Sequence, residues 1–436
     1  MFWGIKFLII IVVMFVFMFL GNWIAFSLGL AGIIGLLIDA GTKYLGVLGN
    51  IVWTTTNSAT LTAIPLFIFM GELLIHSGIS NKFYLSATKW LGRVPGSILQ
   101  TNIISCAVFA AISGSSPATA AAIGSIAYPE MTKQGYDKSM IIGTIGGGGA
   151  LGILIPPSIP MIIYASVAEV SIQRLFMAGV VPGLVAAGIF MIYVAIMNLL
   201  YKDKFPEKPD KVPMKEKLKA VKGMLPLVSL IVVVLGTIYL GITTATEAAA
   251  LGTLIALFIS WKTKTLTLEN LTITMKSTIK TTSMILMIVI GAQILSFFIV
   301  MSGISASLTK AIVSTNLTVP LFLLIISIMY FILGCFLEAT SMIYLTIPLL
   351  MPIINTLGID LIWFGVIVTI FMEVAQITPP VGLNLYVLHG ICNNYHTTSF
   401  GEVVKGIIPY VFMYILVAVL VMLIPSLALW LPSTII

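Results

Sequence analysis

The sequence predicts an all-α polytopic membrane protein made of two inverted-topology repeats, each with a re-entrant hairpin and a discontinuous helix. Three observations carry that prediction. The 436 residues are 59% hydrophobic and only 8% charged, with a mean hydropathy of +1.14, far too little charge for a soluble surface of this size. Two apolar stretches are interrupted by proline pairs: GGGGALGILIPPSIPMIIYA (146–165) at Pro156-Pro157 and VAQITPPVGLNLYVLHG (374–390) at Pro379-Pro380. Proline removes a backbone donor and clashes with the preceding turn, so both helices open there. Opened backbone is tolerated in a bilayer only inside protein or beside a watery cavity. Finally, features of the first half recur in the second at a nearly constant offset.

In chain order, apolar runs long enough to cross a bilayer core predict spans over 2–21, 23–39 and 55–76. The first run resembles a signal peptide but lacks a small-x-small cleavage site, and is expected to stay as a span. An amphipathic interfacial helix follows over 78–95, with Lys82, Lys89 and Arg93 beside Phe83, Leu85 and Trp90. Residues 97–131 form two arms too short to cross alone around the polar tip SGSSPAT, which predicts a hairpin. The first broken helix (139–167) and a span (176–201) close the first repeat, 1–201. Eight lysines mark 202–222 as a cytoplasmic basic linker. The second repeat, 223–436, is expected to hold spans 224–242, 245–261 and 281–301, an interfacial helix 304–318, a hairpin 320–354 with tip GCFLEATS, a broken helix 361–390 and a span 407–430.

The internal match rests on several features in one order. SGIS occurs at 77–80 and 302–305, Pro117-Ala118-Thr119 aligns with Glu338-Ala339-Thr340, and the proline pairs align at an offset of 223. Each half makes an odd number of crossings, so the second must be inserted upside down. With both termini periplasmic, only Lys6, Lys43, Arg174 and Lys310 of the 22 Lys and Arg fall outside the cytoplasm, as the positive-inside rule asks. The net charge of +7 therefore sets orientation and implies no nucleic-acid partner. Cys106, Cys335 and Cys392 lie in or beside apolar runs without metal spacing and are expected to be reduced core residues. No HExxH or GxSxG motif is present, which argues against an enzyme.

Inverted repeats with hairpins and broken helices are the architecture of a secondary transporter. A break exposes unpaired N–H groups, suited to a carboxylate, and unpaired carbonyls, suited with hydroxyls to a hard cation such as Na⁺. The first tip offers Ser113, Ser115, Ser116 and Thr119 against carbonyls from Gly152 to Ile155. The second offers Gly334, Glu338, Thr340 and Ser341 against Thr378 and the carbonyls beside Pro379. Helix packing and back-bonding are the bland alternative for these hydroxyls. An ionised carboxylate in a bilayer normally has a partner, yet Glu72, Glu338 and Glu373 share their spans with no Lys or Arg. Glu338, at a tip, is the best functional candidate. Glu373 lies five residues before Thr378 and serves either that site or a packed network, and Glu72 reads as a structural acid.

The stretches AAISGSSPATAAAIGSIAYPEM, GALGILIPPSIPMIIYA, EVSIQRLFMAGVVPG and MEVAQITPPVGLNLYV resemble the large membrane subunit of TRAP transporters, the DctM family of the ion transporter superfamily, over nearly the whole chain. The resemblance implies the permease of a tripartite ATP-independent periplasmic transporter in the bacterial inner membrane. It implies sodium-coupled uptake of a small carboxylate, with a transport domain sliding against a scaffold domain as an elevator. Expected partners are a four-span DctQ-like subunit and a periplasmic DctP-like binding protein; no cofactor is implied beyond Na⁺ as coupling ion. Carried onto this chain, sodium site 1 falls on Ser113, Gly114, Ser115, Ser116, Thr119, Gly152, Ile155 and Pro156. Sodium site 2 falls on Gly334, Glu338, Ala339, Thr340, Thr378 and Pro379, with Glu338 standing where many members carry Asp. Substrate contacts are expected from Ser116, Pro157, Ser158, Pro380, Gly382 and Asn384. The SSPAT variant looks like that of dicarboxylate members, which favours a C4-dicarboxylate. The alternatives are a sialic acid or other organic acid, or a stand-alone sodium–dicarboxylate symporter of the same superfamily.

Overall fold

The computed structural model describes residues 3–202, 205–206, 211–315 and 317–434, and among them every regular element is helical. Among the described residues seven helices are long and apolar enough to cross a membrane, or eight if the bent pair Ala63–His76 and Ile79–Leu91 is one span. That pair turns by 66° at Gly78, whose φ of +69° suits glycine. The same turn recurs between Leu268–Met301 and Ile304–Val313, at Gly303 with φ +74°. The repeated SGIS therefore encodes a sharp left-handed turn from a span into an amphipathic helix.

Both hairpins have arms of the same lengths. The first is Ile98–Ser113 (16 residues) and Ser116–Lys133 (18 residues). The second is Val319–Gly334 (16 residues) and Ala339–Thr356 (18 residues). Each broken helix starts on an aspartate cap that satisfies an orphan N–H of the first turn. Asp137 accepts from Met140 N–H at 3.1 Å and Asp360 from Trp363 N–H at 2.8 Å. The first broken helix runs Lys138–Gly149 and Leu151–Leu154, opens over 155–158, and resumes as Ile159–Val167. The second runs Leu361–Gln376, opens over 377–382, and resumes as Leu383–Asn393. Both proline pairs are joined by cis peptide bonds.

Helix pairing between the halves is reciprocal. Ile24–Ala40 packs along Leu268–Met301, while Ala63–His76 packs along Ala245–Lys262. The first pairing is a small-residue contact of the kind that lets membrane helices approach closely: a Cβ on Gly32 would lie 2.7 Å from Leu295 N, and one on Gly291 2.1 Å from the Ala25 carbonyl oxygen. The last span of each half then packs on the broken helix of the other. Phe400–Leu423 lies on Lys138–Gly149, and Ile172–Leu200 lies on Leu361–Gln376. The glycine run has a physical role here, because a Cβ on Gly143 would sit 2.4 Å from the Gly406 carbonyl oxygen and one on Gly147 2.1 Å from the Tyr410 ring. The core is thus a block of hairpins and broken helices clasped by both halves.

Several boundaries differ from the sequence expectations, each for a local reason. The expected span 55–76 is two helices, Val47–Thr56 and Ala63–His76, parted by the polar stretch Asn57–Thr62. The linker 202–222 is helical from Met214, where Pro213 precedes a helix that continues to Tyr239. The expected span 281–301 begins at Leu268, capped by Thr267, which accepts from Asn270 N–H at 3.1 Å. The expected span 407–430 begins at Phe400 on a Ser399 capping box and ends at Leu423, because Pro425 lacks an N–H to continue it. The interfacial helices cover Ile79–Leu91 and Ile304–Val313 rather than 78–95 and 304–318.

Candidate ion and substrate site

Each hairpin tip meets the break of its own half. At the first, Ser113 ends one arm and Ser115 caps the next, its Oγ accepting from Ala118 N–H at 3.5 Å. Gly114 between them has φ +57°, and a Cβ there would lie 2.8 Å from the Pro157 carbonyl oxygen. Only glycine lets this turn lie flat on the break. The Gly114 carbonyl accepts from Ile159 N–H at 3.2 Å, pinning the tip to the resumed helix. Ser113 Oγ and Thr119 Oγ1 are 2.6 Å apart, and Thr119 Oγ1 donates to the Ser115 carbonyl at 2.8 Å. Gly152 closes the cluster: a Cβ there would be 2.6 Å from that carbonyl and 2.8 Å from Thr119 Oγ1. Pro156 and Pro157 have no N–H, so the carbonyls of Gly152 and Ile153 lack their helical donors. The structure therefore gathers Ser113, Gly114, Ser115, Thr119 and Gly152. The Ile155 N–H is bonded to the Leu151 carbonyl at 2.9 Å.

At the second tip the contact is as close but the chemistry is different. A Cβ on Gly334 would lie 2.0 Å from that of Ala375, so tip and broken helix cross in contact. Glu338 begins the second arm, and its Oε1 accepts from Thr340 Oγ1 at 3.0 Å. Glu338 Oε2, Ser341 Oγ and Gln376 Oε1 are buried without a hydrogen-bond partner. The Thr378 hydroxyl donates back to the Val374 carbonyl, so it is engaged within its own helix. Ala339 and Thr340 are buried at the start of the arm, and Pro379 lies in the break. Buried oxygens without donors are costly unless something pairs with them, and this set is suited to a cation.

Between the tips lies a cavity of about 270 Å³. Ser113, Gly114 and Ser115 line it from one side, Glu338, Thr340 and Gln376 from the other. Glu72 on Ala63–His76 and Thr281 on Leu268–Met301, both outside the hairpin block, complete its wall. No Lys or Arg lines it. Glu72 is not isolated: its Oε2 is 3.5 Å from His76 Nε2. Among the described residues no cluster of His, Cys, Asp and Glu could hold a transition metal, and Cys106, Cys335 and Cys392 are free and buried.

None of the residues expected to contact substrate lines this cavity. Ser158 caps the resumed helix, accepting from Met161 N–H at 3.4 Å. Pro157 and Gly382 are buried in the breaks and Pro380 faces outward. Ser116 and Asn384 are fully buried and belong to a bridge whose centre is Glu373. The Glu373 carboxyl, itself fully buried, accepts from Ser116 Oγ at 3.1 Å and from Ile153 N–H at 3.0 Å. Asn384 Nδ2 donates to Ser116 Oγ at 2.6 Å. One side chain of the second broken helix thus ties together the first tip, the first break and its own resumed arm.

Hairpins, broken helices and a shared central cavity define a membrane transporter fold. The solved structure of the Alcanivorax borkumensis YdaH transporter shares it, with a TM-score of 0.62 over 92% of this chain and 90% of that one, at 12% identity. The family is narrower. Residues 11–427 match the model of the tripartite ATP-independent periplasmic transporter, DctM component. The C4-dicarboxylate TRAP transporter large permease protein DctM of Rhodobacter capsulatus is 36% identical, covering 98% of both chains. Its counterpart in Vibrio cholerae is 35% identical, covering 95% of both. The chain belongs to the DctM family of TRAP transporter large permeases, which are bacterial inner-membrane permeases rather than enzymes.

Proposed function

We propose that this permease takes up a C4-dicarboxylate together with sodium, by an elevator movement of the hairpin block against the outer spans. The observation that carries this reading is the cavity between the tips. Within a largely apolar lining it places the hydroxyls of Ser113, Ser115, Thr281 and Thr340, the Gln376 amide and two glutamates, with no Lys or Arg among the described residues. A dianion entering such a site is repelled unless cations enter with it. Sodium at the first tip would take the oxygens of Ser113, Ser115 and Thr119 and the free carbonyls of the first break. Sodium at the second would take Glu338 Oε2, Ser341 and Gln376. Bound ions supply the missing positive charge, so the loaded block crosses and the half-loaded one does not.

The wall formed by Glu72 and Thr281 would then be the fixed side along which the block moves. Reciprocal packing of the halves supports two inverted repeats, and the lysine distribution supports periplasmic termini. Substrate would arrive on a periplasmic binding protein and the permease would work with a four-span membrane subunit. The substrate class follows the names of the relatives at 36% and 35% identity.

The test is uptake of labelled succinate into proteoliposomes holding this chain and its small subunit. Uptake is expected only with an inward sodium gradient and the cognate binding protein. Uptake indifferent to sodium would overturn the coupling. Sodium-driven uptake needing no binding protein would show a stand-alone symporter, and preference for sialic acid would replace the substrate class.

A further inference from the structure

A second polar recess lies far from the tips, where the first interfacial helix meets the start of Met214–Tyr239. It has a volume of about 420 Å³, and Lys89, Arg93, Lys211 and Lys217 all line it. Among the described residues no carboxylate lines it. Among the described residues none of the four cations forms an ion pair. The fold holds the two walls of the recess together. The Trp90 indole N–H donates to the Lys217 carbonyl at 3.1 Å, and the Lys217 ammonium lies 5.7 Å from the centre of the Trp90 ring. Ser97 Oγ donates to the Gly92 carbonyl at 2.7 Å, fixing the chain that carries Arg93. A Cβ on Gly223 would be 2.4 Å from Ser86 Oγ, so the two walls touch.

We propose that this recess binds the phosphate of an anionic phospholipid headgroup. Clustered cations are complementary to a phosphate, and basic pockets at the cytoplasmic ends of membrane helices are suited to such headgroups. The surroundings select a lipid over a free phosphate. Beside the cations the same two walls expose Leu85, Trp90 and Val94 on one side and Met214, Leu218 and Val221 on the other. An apolar rim around a basic socket matches a molecule with a charged head and acyl chains. Ile98 and Gln134, from the roots of the first hairpin, also line the recess. A bound headgroup therefore touches the hairpin block and the outer helices at once, which makes the lipid a contact between parts that the elevator reading separates.

The experiment is native mass spectrometry of the full chain after exchange from phosphatidylcholine vesicles containing phosphatidylglycerol. The wild type is expected to retain phosphatidylglycerol over phosphatidylcholine by at least about ten-fold. The combined variant Lys89→Gln, Arg93→Gln, Lys211→Gln should lose that preference, while Lys262→Gln with Lys264→Gln, in another basic loop, should keep it. A triple variant that keeps the preference overturns the assignment. So does displacement of the lipid by millimolar inorganic phosphate, which would make the site one for the free anion. A photoactivatable phosphatidylglycerol supplies an arm that needs no variant: its crosslinks on the wild type should fall within 85–98 and 211–221, and crosslinks confined elsewhere reject the proposal.

Discussion

The two hairpin tips are built on the same plan and finished differently. Both have arms of 16 and 18 residues, both cross a proline-broken helix, and both place a glycine at the closest approach. The first tip is neutral and satisfied internally: Ser113, Ser115 and Thr119 bond to one another, and Gly152 presses against them. The second carries a carboxyl and is unsatisfied, with Glu338 Oε2, Ser341 Oγ and Gln376 Oε1 buried without partners. A pre-bonded cluster loses little when an ion leaves, whereas donor-starved oxygens leave a desolvated hole. The difference predicts that the first tip holds its shape without sodium and the second is ordered by it.

The variant expected to do most harm breaks the link between the two. Glu373→Leu leaves the Ser116 O–H and the Ile153 N–H buried without an acceptor, at about 1–3 kcal/mol each, although Ser116 Oγ still accepts from Asn384. Thermal unfolding should fall by several degrees and uptake should be lost. Glu373→Gln keeps an acceptor oxygen and should unfold near the wild-type temperature, with the sodium dependence of uptake becoming less cooperative. Equal harm from both substitutions would mean that the negative charge, rather than the bridge, matters.

Next comes Glu338→Gln, which removes the formal charge of the second tip. A hydrogen bond or contact to a charged group is worth about 1.5–3 kcal/mol, so the sodium concentration for half-maximal uptake should rise roughly ten-fold or more. An unchanged sodium curve would remove the second tip from the mechanism. Gly152→Ala probes the first tip by crowding: its Cβ would meet the Ser115 carbonyl, and overpacking costs about 1–3 kcal/mol. Loss of stability with or without sodium is expected, and Gly390→Ala, which faces open space, is the control that should change nothing. Smallest is Ser113→Ala, which removes one hydroxyl from a neutral cluster at about 1 kcal/mol. It should weaken sodium affinity only a few-fold; an effect larger than that of Glu338→Gln would reverse the ranking of the two tips.

How much of this was legible in the sequence depends on whether the signal is local. Proline pairs, polar hairpin tips and SGIS act on their own neighbourhood, and the breaks and turns stand where those residues put them. The capping aspartates Asp137 and Asp360 share the 223 offset of the proline pairs and could have been found the same way. Helix starts at Phe400 and Leu268 were missed because caps, not hydropathy, set them. Glu373 is a different case. Its partners are 257 and 220 residues away, and no periodicity connects them. Glu72 looked like a lone structural acid because the helix that aims it into the cavity is positioned by Ala245–Lys262, from the other half. Ser116 and Asn384 were expected as substrate contacts; their hydrogen bonds in the Glu373 bridge reach across both repeats, which a single sequence does not reveal.

Reciprocal clasping of the halves has a consequence for how the molecule could be made. Each broken helix takes part of its packing from the last span of the opposite repeat, so neither repeat completes the central block by itself. A chain interrupted between Tyr201 and Pro213 and produced as two polypeptides should still assemble, each piece templating the other, while either piece alone should be degraded.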